Sequence, residues 1–298
     1  MGTPDFAVPA LDAVVAAGHT VAAVFTQPDK PKGRGFEMTP PPVKKRALEL
    51  GLSVFQPVSV KTGDAAEQIE SIAADCIVVA AYGKILPERV LCAAKYGCIN
   101  IHSSLLPKYR GPAPINWAVI NGDSVTGVST MQLDAGVDTG DVLMTAETPI
   151  GENETAGELH DRLAAMGAEL LLETLKRAES GTLEPKKQDE SQASRAPMLD
   201  KSLCAVDWTQ SAQAVHNRIR GLHPWPVATA VLGGRLLKLH ASRVVDSGTS
   251  GRSGEVLSAE PLIVACGSGA IELLEVQGEN ARRMPAADYL RGHPIALG

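Results

Sequence analysis

The stretch DCIVVAAYGKILPERVLCAAKYGCINIH, residues 75–102, predicts the fold class. It begins and ends with short apolar runs that are typical of buried strands, and a proline-containing loop and a helical segment lie between them. A strand, a helix and a second strand in this order indicate a parallel unit of an α/β sheet. Asn100 and His102 end the second strand, and their side chains point to the same side because they are two positions apart. The stretch therefore predicts polar chemistry at the carboxyl end of a strand, where open α/β sheets place their sites.

The same alternation of strands and helices extends over the first 180 residues or so. The predicted elements are a helix from about Pro4 to Gly18, a strand over Val21–Thr26, a helix near Pro42–Leu50, a strand over Ser53–Gln56, a helix near Gly63–Ala73, a strand over Cys76–Ala81, the strand ending at His102, a helix in APINWAVINGD, strands in GVSTMQLD and VLMTAETPI, and a long amphipathic helix in NETAGELHDRLAAMGAELLLETLKRAESG. The basic segment QPDKPKGRGFEMTPP is predicted to be a loop. This order predicts a Rossmann-like, doubly wound, mostly parallel sheet.

The character of the sequence changes after the long helix. TLEPKKQDESQASRAPMLDKS is polar and has few large apolar residues, which indicates a linker. Beyond it, short strand-like runs are separated by glycines, a pattern typical of a small β-barrel. We therefore predict a first domain over residues 1–182, a linker over 183–202 and a second domain over 203–298.

Composition limits the function classes. The chain has 298 residues and a net charge of −6, so it has no overall basic field that would attract nucleic acid. Its five cysteines include no C-x-x-C pair, and we find no secretory leader and no apolar run long enough to cross a bilayer. These features predict a soluble cytoplasmic protein. From Lys201 onward ten basic residues outnumber eight acidic ones, which makes the second domain the better candidate for contact with a polyanion.

Several common catalytic signatures do not occur. The sequence has no G-x-G-x-x-G after a strand, no Walker loop and no H-E-x-x-H, which argues against a nicotinamide dehydrogenase, a P-loop enzyme and a zinc protease. It also has no G-x-S-x-G elbow, which argues against a serine hydrolase.

What remains is Asn100 and His102, together with the loop MQLDAGVDTGD and its Asp134, Asp138 and Asp141. We expect an amide, an imidazole and a carboxylate at the carboxyl edge of one sheet. Such a set can perform acyl transfer to an amine without a metal, because the amide and a protonated imidazole stabilise an oxyanion and the carboxylate helps to move protons. The alternative is that these residues only form turns, and spacing alone does not choose among the three aspartates.

Several segments together carry a resemblance to a known family. They are GTPDFAVPAL, FTQPDKPKGRG, CINIHSSLLPKYRGPAPINWAVINGD, GVSTMQLDAGVDTGDVL and VDWTQSAQAVHNRIRGLHPWPVA. The chain resembles the folate-dependent formyltransferases over nearly its whole length. N-x-H-x-S-L-L-P is common to all of them, whereas the TPDF, QPDKPKGRG and RGPAPI pieces resemble the methionyl-tRNA formyltransferase family in particular.

The resemblance implies 10-formyltetrahydrofolate as the formyl donor, methionyl initiator tRNA as the acceptor, and no metal. It places the catalytic roles on Asn100, His102 and Asp138. The implied folate-binding residues are Ser104, Leu105, Leu106, Pro107, Ile85 and Leu86, and the implied tRNA-binding residues are Lys30, Lys32 and Arg34. It also implies that the second domain is an OB-like barrel that contacts tRNA. We expect a monomer that does not bind membranes.

Two other functions remain open at this stage. Glycinamide ribonucleotide formyltransferase resembles the first domain only, and an RNA-binding protein without activity could have kept the scaffold. The chain also opens directly on GTPDF, without the buried apolar strand that normally precedes such a loop in a doubly wound sheet. We therefore expect that the natural protein begins several residues upstream of Met1, and that without this strand backbone groups on both neighbouring strands lose their partners.

Overall fold

The structure is a computed structural model that describes residues 1–32, 35–62, 64–245 and 251–297, with the side chain of Lys32 also outside the description. Contacts divide the chain into two compact units. The first unit consists of Met1–Gly111, Gly127–Thr148 and His160–Arg195. The second consists of Pro112–Thr126, Pro149–Leu159 and Ala196–Gly298. Each is described below by itself.

The helices are α1 (Val8–Ala16), α2 (Pro42–Glu49), α3 (Ala65–Ser71), α4 (Glu88–Leu91), α5 (Pro114–Asn121), α6 (Ala156–Ser180), α7 (Ala212–Gly221) and α8 (Ala286–Gly292). The strands are β1 (Val24–Phe25), β2 (Lys30–Lys32), β3 (Glu37–Thr39), β4 (Val54–Phe55), β5 (Ile77–Ala80), β6 (Cys98–His102), β7 (Val125–Gln132), β8 (Val142–Pro149), β9 (Ala228–Leu232), β10 (Arg235–Val245), β11 (Val256–Ala259), β12 (Leu262–Ala265), β13 (Ala270–Gly278) and β14 (Met284–Pro285). Short 3₁₀ turns lie at Asp5–Ala7, Glu190–Gln192 and Lys201–Leu203.

Apart from the hairpin of β2 and β3, the strands of the first unit form a two-stranded parallel sheet and a four-stranded sheet with parallel and antiparallel pairs. β1 pairs with β4 and β5 pairs with β6, both in parallel. β6, β7 and β8 continue the sheet in the order β5-β6-β7-β8, and β7 runs antiparallel to β6. The fold class predicted for this part of the chain is therefore confirmed, and the antiparallel β7 determines how the site is built.

Most predicted elements of the first 180 residues are present, with shorter bounds in several cases. The first helix begins with the turn at Asp5–Ala7 and gives way to Gly18, whose φ of 83° lies in the left-handed region where glycine is favoured. The basic segment predicted as a loop contains a short antiparallel hairpin, because Lys30 pairs with Thr39 and Pro31 with Met38. The loop prediction was therefore wrong for the six residues of β2 and β3.

Residues 1 and 2 lie between β1 and β5. The Gly2 N–H donates to the Phe25 carbonyl oxygen at 3.0 Å, and the Ala80 N–H donates to the Met1 carbonyl oxygen at 2.9 Å. A cavity of about 570 Å³ opens beside them, and most of its lining is apolar, including Val24, Ile77, Leu11, Val14 and Ile72. Two residues thus connect the two parallel strand pairs at one end, and an open space separates them further along.

The second unit is built on a curled antiparallel sheet. Its main path runs β11-β12-β13-β10-β9, and β14 pairs with β13. The long strand β10 changes register against β13 between Leu239 and Ala241, a bulge of the kind that bends a strand and lets a sheet curl. This agrees with the predicted β-rich second domain; closure into an OB-like barrel stays a prediction.

Helix α7 packs on this sheet. It begins at Ser211, whose hydroxyl accepts the Ala214 N–H at 3.2 Å and so satisfies one of the free donors of the first turn. Its Ile219 is completely buried in the same apolar cluster as Leu237, Leu239 and Ile271 of the sheet. The helix therefore covers the core of the second unit.

The buried His216 of α7 predicts a pH dependence for this unit. Its Nδ1 lies 2.9 Å from the Ser242 hydroxyl and its Nε2 lies 3.0 Å from the Glu152 carbonyl oxygen. Burial lowers the pKa of His216, and the charge of Arg220 lowers it further. Since an unfolded histidine titrates near about 6.5, the unfolded state binds more protons below that pH. We expect the stability of the second unit to be constant above about pH 7 and to fall as the pH decreases from about 6.5 towards 5.

Chemical denaturation between pH 5 and pH 8, followed by a signal from the second unit, measures this effect. Burial also lowers the pKa values of His223 and His240, so all three histidines act in the same direction. The variant His216→Gln should therefore flatten the pH dependence without abolishing it, and the same change at the exposed His293 should leave it as it is. A profile that His216→Gln does not alter would contradict the prediction.

Candidate active site

Strand β6 holds two polar side chains in an otherwise apolar environment. Asn100 is 8% exposed and His102 is 6% exposed, and all five residues of β6 are buried. Asn100 pairs with Val79 of β5 and Met131 of β7, and the two polar residues share one face of the strand because they are two positions apart. β6 therefore places an amide and an imidazole side by side with little access to water.

Backbone contact fixes the orientation of the imidazole. His102 Nε2 lies 2.9 Å from the Tyr109 carbonyl oxygen, which can only accept a hydrogen bond. This assigns the ring proton to Nε2 in the neutral ring. Nδ1 faces Asp138, whose Oδ2 lies 3.7 Å away, the separation of an ion pair and not of a direct hydrogen bond. The nitrogen that can gain and lose a proton is thus the one facing the carboxylate.

Asp138 reaches the imidazole by a route that differs from the expected one. Ile99 at the beginning of β6 pairs with Gln132 at the end of β7, and the Leu133 N–H donates to the Cys98 carbonyl oxygen at 2.8 Å. The loop after β7 therefore leaves the sheet near the amino end of β6 and folds back towards His102. The carboxylate of Asp138 lies beside the carboxyl end of β6, but its loop starts from the opposite end of that strand, because β7 is antiparallel to β6.

Hydrogen bonds distinguish the three aspartates of this loop. Asp134 stabilises the loop itself, because its carboxylate accepts the Gly136 N–H at 3.0 Å and the Thr139 hydroxyl at 2.8 Å. Asp141 contributes its carbonyl oxygen, which accepts the Gln132 N–H at 2.9 Å. Asp138 alone among the three is paired with His102. The geometry thus favours Asp138, the residue that the resemblance also indicates.

Two contacts hold Asp138 in place. Its backbone has a φ of 55°, in the left-handed region that non-glycine residues seldom adopt. The Gly111 N–H donates to its Oδ2 at 2.8 Å, and Gln188 Nε2 donates to its carbonyl oxygen at 2.8 Å. The carboxylate and the peptide are therefore fixed separately, one by the loop after β6 and one by a residue 50 positions further along the chain.

The segment 186–195, which we call the strap, contacts the loop after β6 and the loop that carries Asp138. The Arg110 N–H donates to the Ser194 carbonyl oxygen at 2.9 Å, and the Tyr109 N–H donates to the Ser194 hydroxyl at 2.9 Å. Lys186 exchanges two backbone hydrogen bonds with Val142 at the start of β8. Most of the strap lies in the range predicted as a linker, and its described residues are tied to the first unit. Sequence reasoning missed it because its partners lie far away along the chain, as Asp138 does from Gln188 and Tyr109 does from Ser194, and no motif links them.

Arg110 links the strap to the loop after β6. Its guanidinium donates to Gln188 Oε1 at 2.9 Å and to both carboxylate oxygens of Glu190 at 2.8 and 2.9 Å. Glu190 raises the pKa of Arg110 above its usual value, and Arg110 in turn lowers the pKa of Glu190. The RGPAPI piece of the resemblance was the only sequence signal for Arg110, and nothing in the sequence indicated Gln188.

The predicted folate-binding segment follows His102 directly. Ser104 is completely buried, with its hydroxyl donating to the Lys108 carbonyl oxygen at 2.6 Å, and the Leu106 N–H donates to the Ser129 hydroxyl at 3.1 Å. Leu105 and Pro107 are half-buried, whereas Leu106 is buried. The backbone of this segment is thus fixed against β7, and two of its apolar side chains offer surface to a ligand.

The other predicted binding residues are placed differently. Leu86 lies in the apolar cluster with Phe25 and Val90, whereas Ile85 is 60% exposed. Lys30 is exposed in β2 and Lys32 ends that strand. Arg34 lies outside the described residues, so the structure gives no account of it.

A close backbone contact beside Asp138 gives a sharp mutational prediction. A Cβ atom added to Gly140 would lie 1.9 Å from the Gln132 carbonyl oxygen, a distance that no side-chain movement can relieve. The variant Gly140→Ala should therefore shift the loop that carries Asp138. We expect a loss of about 1–3 kcal/mol in the free energy of unfolding, and a decrease in kcat of about 10²-fold, as for a displacement of a catalytic group by about 1 Å.

Denaturant unfolding and steady-state turnover of the purified variant test both parts. Gly292→Ala is a suitable control, because apart from its own helix and its chain neighbours nothing lies within 4 Å of its added Cβ. Wild-type stability together with wild-type turnover in Gly140→Ala would show that the loop is not held as described.

The arrangement suits acyl transfer to an amine. A buried amide donor and a protonated imidazole can stabilise an oxyanion, and a carboxylate close to the ring stabilises the positive charge and accepts protons. Within the described ranges no group of three or more histidine, cysteine, aspartate or glutamate side chains is arranged to hold a metal ion. No described helix combines the length and the apolar character needed to cross a membrane.

Comparison with known proteins shows the family to which the chain belongs. The model of the formyl transferase family matches residues 1–175, and the model of its C-terminal domain matches residues 198–294. The chain is 51% identical over 295 residues to a methionyl-tRNA formyltransferase of Solibacter usitatus, covering 99% of this chain and 95% of the relative. It is 50% identical to one of Acetivibrio thermocellus, covering 100% and 97%.

Solved structures agree on the fold. The sugar 3N-formyl transferase WlaRD has a TM-score of 0.70 and 19% identity, with 94% of this chain and 97% of that chain covered. The N-formyltransferase of Helicobacter canadensis has a TM-score of 0.70 and 20% identity, with 91% and 96% covered. The two family models together span nearly the whole sequence, and relatives with half of their residues identical match it from end to end. The chain belongs to the formyl transferase family.

Proposed function

We propose that this chain transfers a formyl group from 10-formyltetrahydrofolate to the α-amino group of methionine on initiator tRNA, in the cytoplasm. The observation that carries the proposal is the set of Asn100, His102 and Asp138 inside a chain that is about half identical to methionyl-tRNA formyltransferases over its whole length. The match extends through the C-terminal domain model, which supports the tRNA enzyme over formyltransferases that resemble the first domain alone.

The donor is proposed from the family and from the site. Solved neighbours were crystallised with tetrahydrofolic acid and with 5-N-formyl-THF. In this chain the half-buried Leu105 and Pro107 follow directly on the catalytic strand and provide apolar surface for a flat ring system. When bound there, the folate supplies an activated formyl group. The proposed contacts are those of the sequence analysis: Ser104, Leu105, Leu106, Pro107 and Ile85, with the buried Leu86 supporting them from the core.

Asn100 and His102 stabilise charge on the formyl oxygen. As the amine attacks the formyl carbon, the carbonyl oxygen becomes negative, and the Asn100 side-chain NH₂ donates to it. His102 donates from Nδ1, because the Tyr109 carbonyl oxygen already holds Nε2–H. Both side chains are more than nine-tenths buried, so little water competes for the oxyanion.

Asp138 stabilises the positive charge of the imidazole and carries the proton that the amine releases. Its carboxylate, 3.7 Å from Nδ1, stabilises the protonated ring during the reaction. The amine loses one proton when the new C–N bond forms, and the departing folate nitrogen gains one when the old C–N bond breaks. Asp138, itself partly exposed, is placed to pass this proton through a water molecule. Neither step needs a covalent intermediate with the protein.

The acceptor is proposed to contact the basic hairpin. Lys30 is exposed in β2, and Lys32 and Arg34 follow in the same segment. Burial lowers the pKa of Lys84, and the positive charge of Lys30 lowers it further. The Lys84 ammonium donates to the Val58 carbonyl oxygen at 2.7 Å. Lys30 and Lys84 therefore lie close enough for their charges to interact, and such positive charge supports contact with a polyanionic acceptor.

This part of the proposal predicts a salt-dependent acceptor affinity. Each phosphate contact releases counterions, so the KM for charged tRNA should rise steeply with salt, whereas the KM for the folate should change little. Lys30→Ala and Arg34→Ala should each raise the KM for tRNA and reduce its salt dependence, because each removes about one phosphate contact. Lys61→Ala, at another exposed lysine of the same unit, is the control. A salt-insensitive KM would contradict the acceptor proposal.

A formyl transfer assay with two acceptors tests the proposed function as a whole. The wild-type protein is incubated with 10-formyltetrahydrofolate and either methionyl initiator tRNA or glycinamide ribonucleotide, with uncharged initiator tRNA as the control. We expect transfer to the charged tRNA alone. Transfer to the ribonucleotide would indicate the other enzyme, and tRNA binding without transfer would indicate an RNA-binding protein.

A further inference from the structure

Gln188 of the strap makes three hydrogen bonds around the candidate active site. Its Nε2 donates to the carbonyl oxygens of Asp138 at 2.8 Å and Gly140 at 2.7 Å, and its Oε1 accepts from Arg110 Nε at 2.9 Å. Both protons of the NH₂ group and the amide oxygen are therefore used. The partners also determine which end of the amide is nitrogen, because two carbonyls can only accept and a guanidinium can only donate.

The two carbonyls that Gln188 binds belong to the turn on which Asp138 lies. This turn includes the left-handed backbone of Asp138, a conformation that persists only when surrounding contacts enforce it. The contact with Gly111 fixes the carboxylate of Asp138, and the bonds of Asp134 to Gly136 and Thr139 do not involve the Asp138 peptide itself. Gln188 binds the backbone of the turn directly, at the carbonyl oxygens of Asp138 and Gly140.

Arg110 and Glu190 fix Gln188 in turn. The guanidinium binds the amide oxygen of Gln188 and forms a two-point ion pair with Glu190, two residues further along the strap. Arg110 itself directly follows Tyr109, whose carbonyl oxygen holds His102. One connected set of contacts thus joins the peptide that orients the imidazole to the peptide that carries the carboxylate.

We propose that Gln188 is a positioning residue, which sets the distance between Asp138 and His102 by binding the carbonyl oxygens of Asp138 and Gly140. The inference rests on the proposed function for its kinetic part, because Gln188 acts on the reaction only through Asp138. Its three hydrogen-bond partners belong to Arg110, Asp138 and Gly140 of the chain itself, so its role is to position Asp138 and not to react.

The decisive variant is Gln188→Glu. The carboxylate has the same shape as the amide and keeps an oxygen for Arg110, but it faces two carbonyl oxygens with no proton to donate. The turn should therefore be released while the contact with Arg110 remains. We expect kcat for formyl transfer to fall by about 10–10²-fold, the effect of a small displacement of a catalytic group, with the KM for the folate within a factor of about two of the wild-type value.

Gln192→Glu is the matched control. Gln192 lies in the same strap and is exposed, and its amide donates to Asp189 at 2.9 Å, away from the catalytic loops. The same chemical change should leave kcat within a factor of about two. If Gln188→Glu folds poorly, Gln188→Met takes its place in every measurement. Methionine removes the hydrogen-bond donors and the acceptor of the side chain without adding a charge.

A double-mutant cycle with Asp138→Asn separates positioning from a general structural effect. If Gln188 acts only through Asp138, the double variant turns over about as slowly as Asp138→Asn alone, because residues that act as a unit are not additive. Independent effects that multiply would overturn the inference. So would a Gln188→Glu variant with wild-type kcat.

A second readout does not depend on the reaction. The Gly111 N–H donates to the Asp138 carboxylate, so its hydrogen exchange reports whether that carboxylate stays in place. We expect Gln188→Glu to exchange this amide at least about tenfold faster than the wild type, whereas the Arg110 N–H bound to Ser194 stays protected. Unchanged exchange at Gly111 would overturn the inference. If the wild type transferred no formyl group, the proposed function would fail, and this measurement would still decide the role of Gln188.

Discussion

Replacing either polar residue of β6 should nearly abolish turnover. We expect His102→Ala and Asn100→Ala each to lower kcat by about 10²–10⁴, the usual loss for a proton-transfer group or an oxyanion donor. The effect should be large because both side chains are buried, so that water cannot easily replace the lost donor. The KM for the folate should stay near the wild-type value, since Leu105 and Pro107 are unchanged. Steady-state kinetics of formyl transfer measure both quantities.

The controls for this prediction have to separate chemistry from folding. His19→Ala and Asn153→Ala make the same changes at exposed positions and should leave kcat unchanged. His102→Gln and Asn100→Asp keep most of the buried volume, so a loss that persists in them cannot come from a cavity alone. Near-normal turnover in a well-folded variant would remove that residue from the proposed mechanism.

Local patterns were sufficient to predict most of the fold. Apolar runs and glycine or proline boundaries indicated β5, β6 and the long helix α6 with bounds close to those observed. The sequence did not indicate the direction of β7. Six of its eight residues are buried, so this antiparallel strand has the continuous apolar character usually associated with parallel ones. Strand direction is determined by how the chain crosses between strands, and a pattern of side chains does not record it.

The candidate site was predictable only in part, for a similar reason. Period-two spacing placed Asn100 and His102 on one face, and the structure agrees. The groups that hold His102 and Asp138 are backbone atoms, namely the Tyr109 carbonyl oxygen for the imidazole and the Gly111 N–H for the carboxylate, and no sequence motif identifies such atoms. Gln188 lies 50 residues beyond the aspartate it holds and within a polar segment. Long-range contacts of this kind depend on the completed fold.

Removing the charge of Asp138 should have a comparably large effect. Asp138→Asn keeps an oxygen that can accept the Gly111 N–H, and its carbonyl oxygen can still bind Gln188, so the loop should keep its shape. Only the negative charge 3.7 Å from His102 Nδ1 disappears. We expect kcat to fall by about 10²–10⁴, because the protonated imidazole loses its counter-charge and the amine loses its proton acceptor. The KM for the folate should change little.

The neighbouring aspartates make this a test among three candidates. Asp134→Asn alters a carboxylate that binds Gly136 and Thr139 within the loop, and Asp141→Asn leaves intact the carbonyl oxygen that pairs with Gln132. Both variants should keep kcat within a factor of about three of the wild type, as changes outside the reacting groups usually do. If Asp134→Asn or Asp141→Asn lost turnover while Asp138→Asn kept it, the carboxylate of the mechanism would be a different one. The 3.7 Å pairing with His102 would then be structural, and the proton route through Asp138 would have to be abandoned.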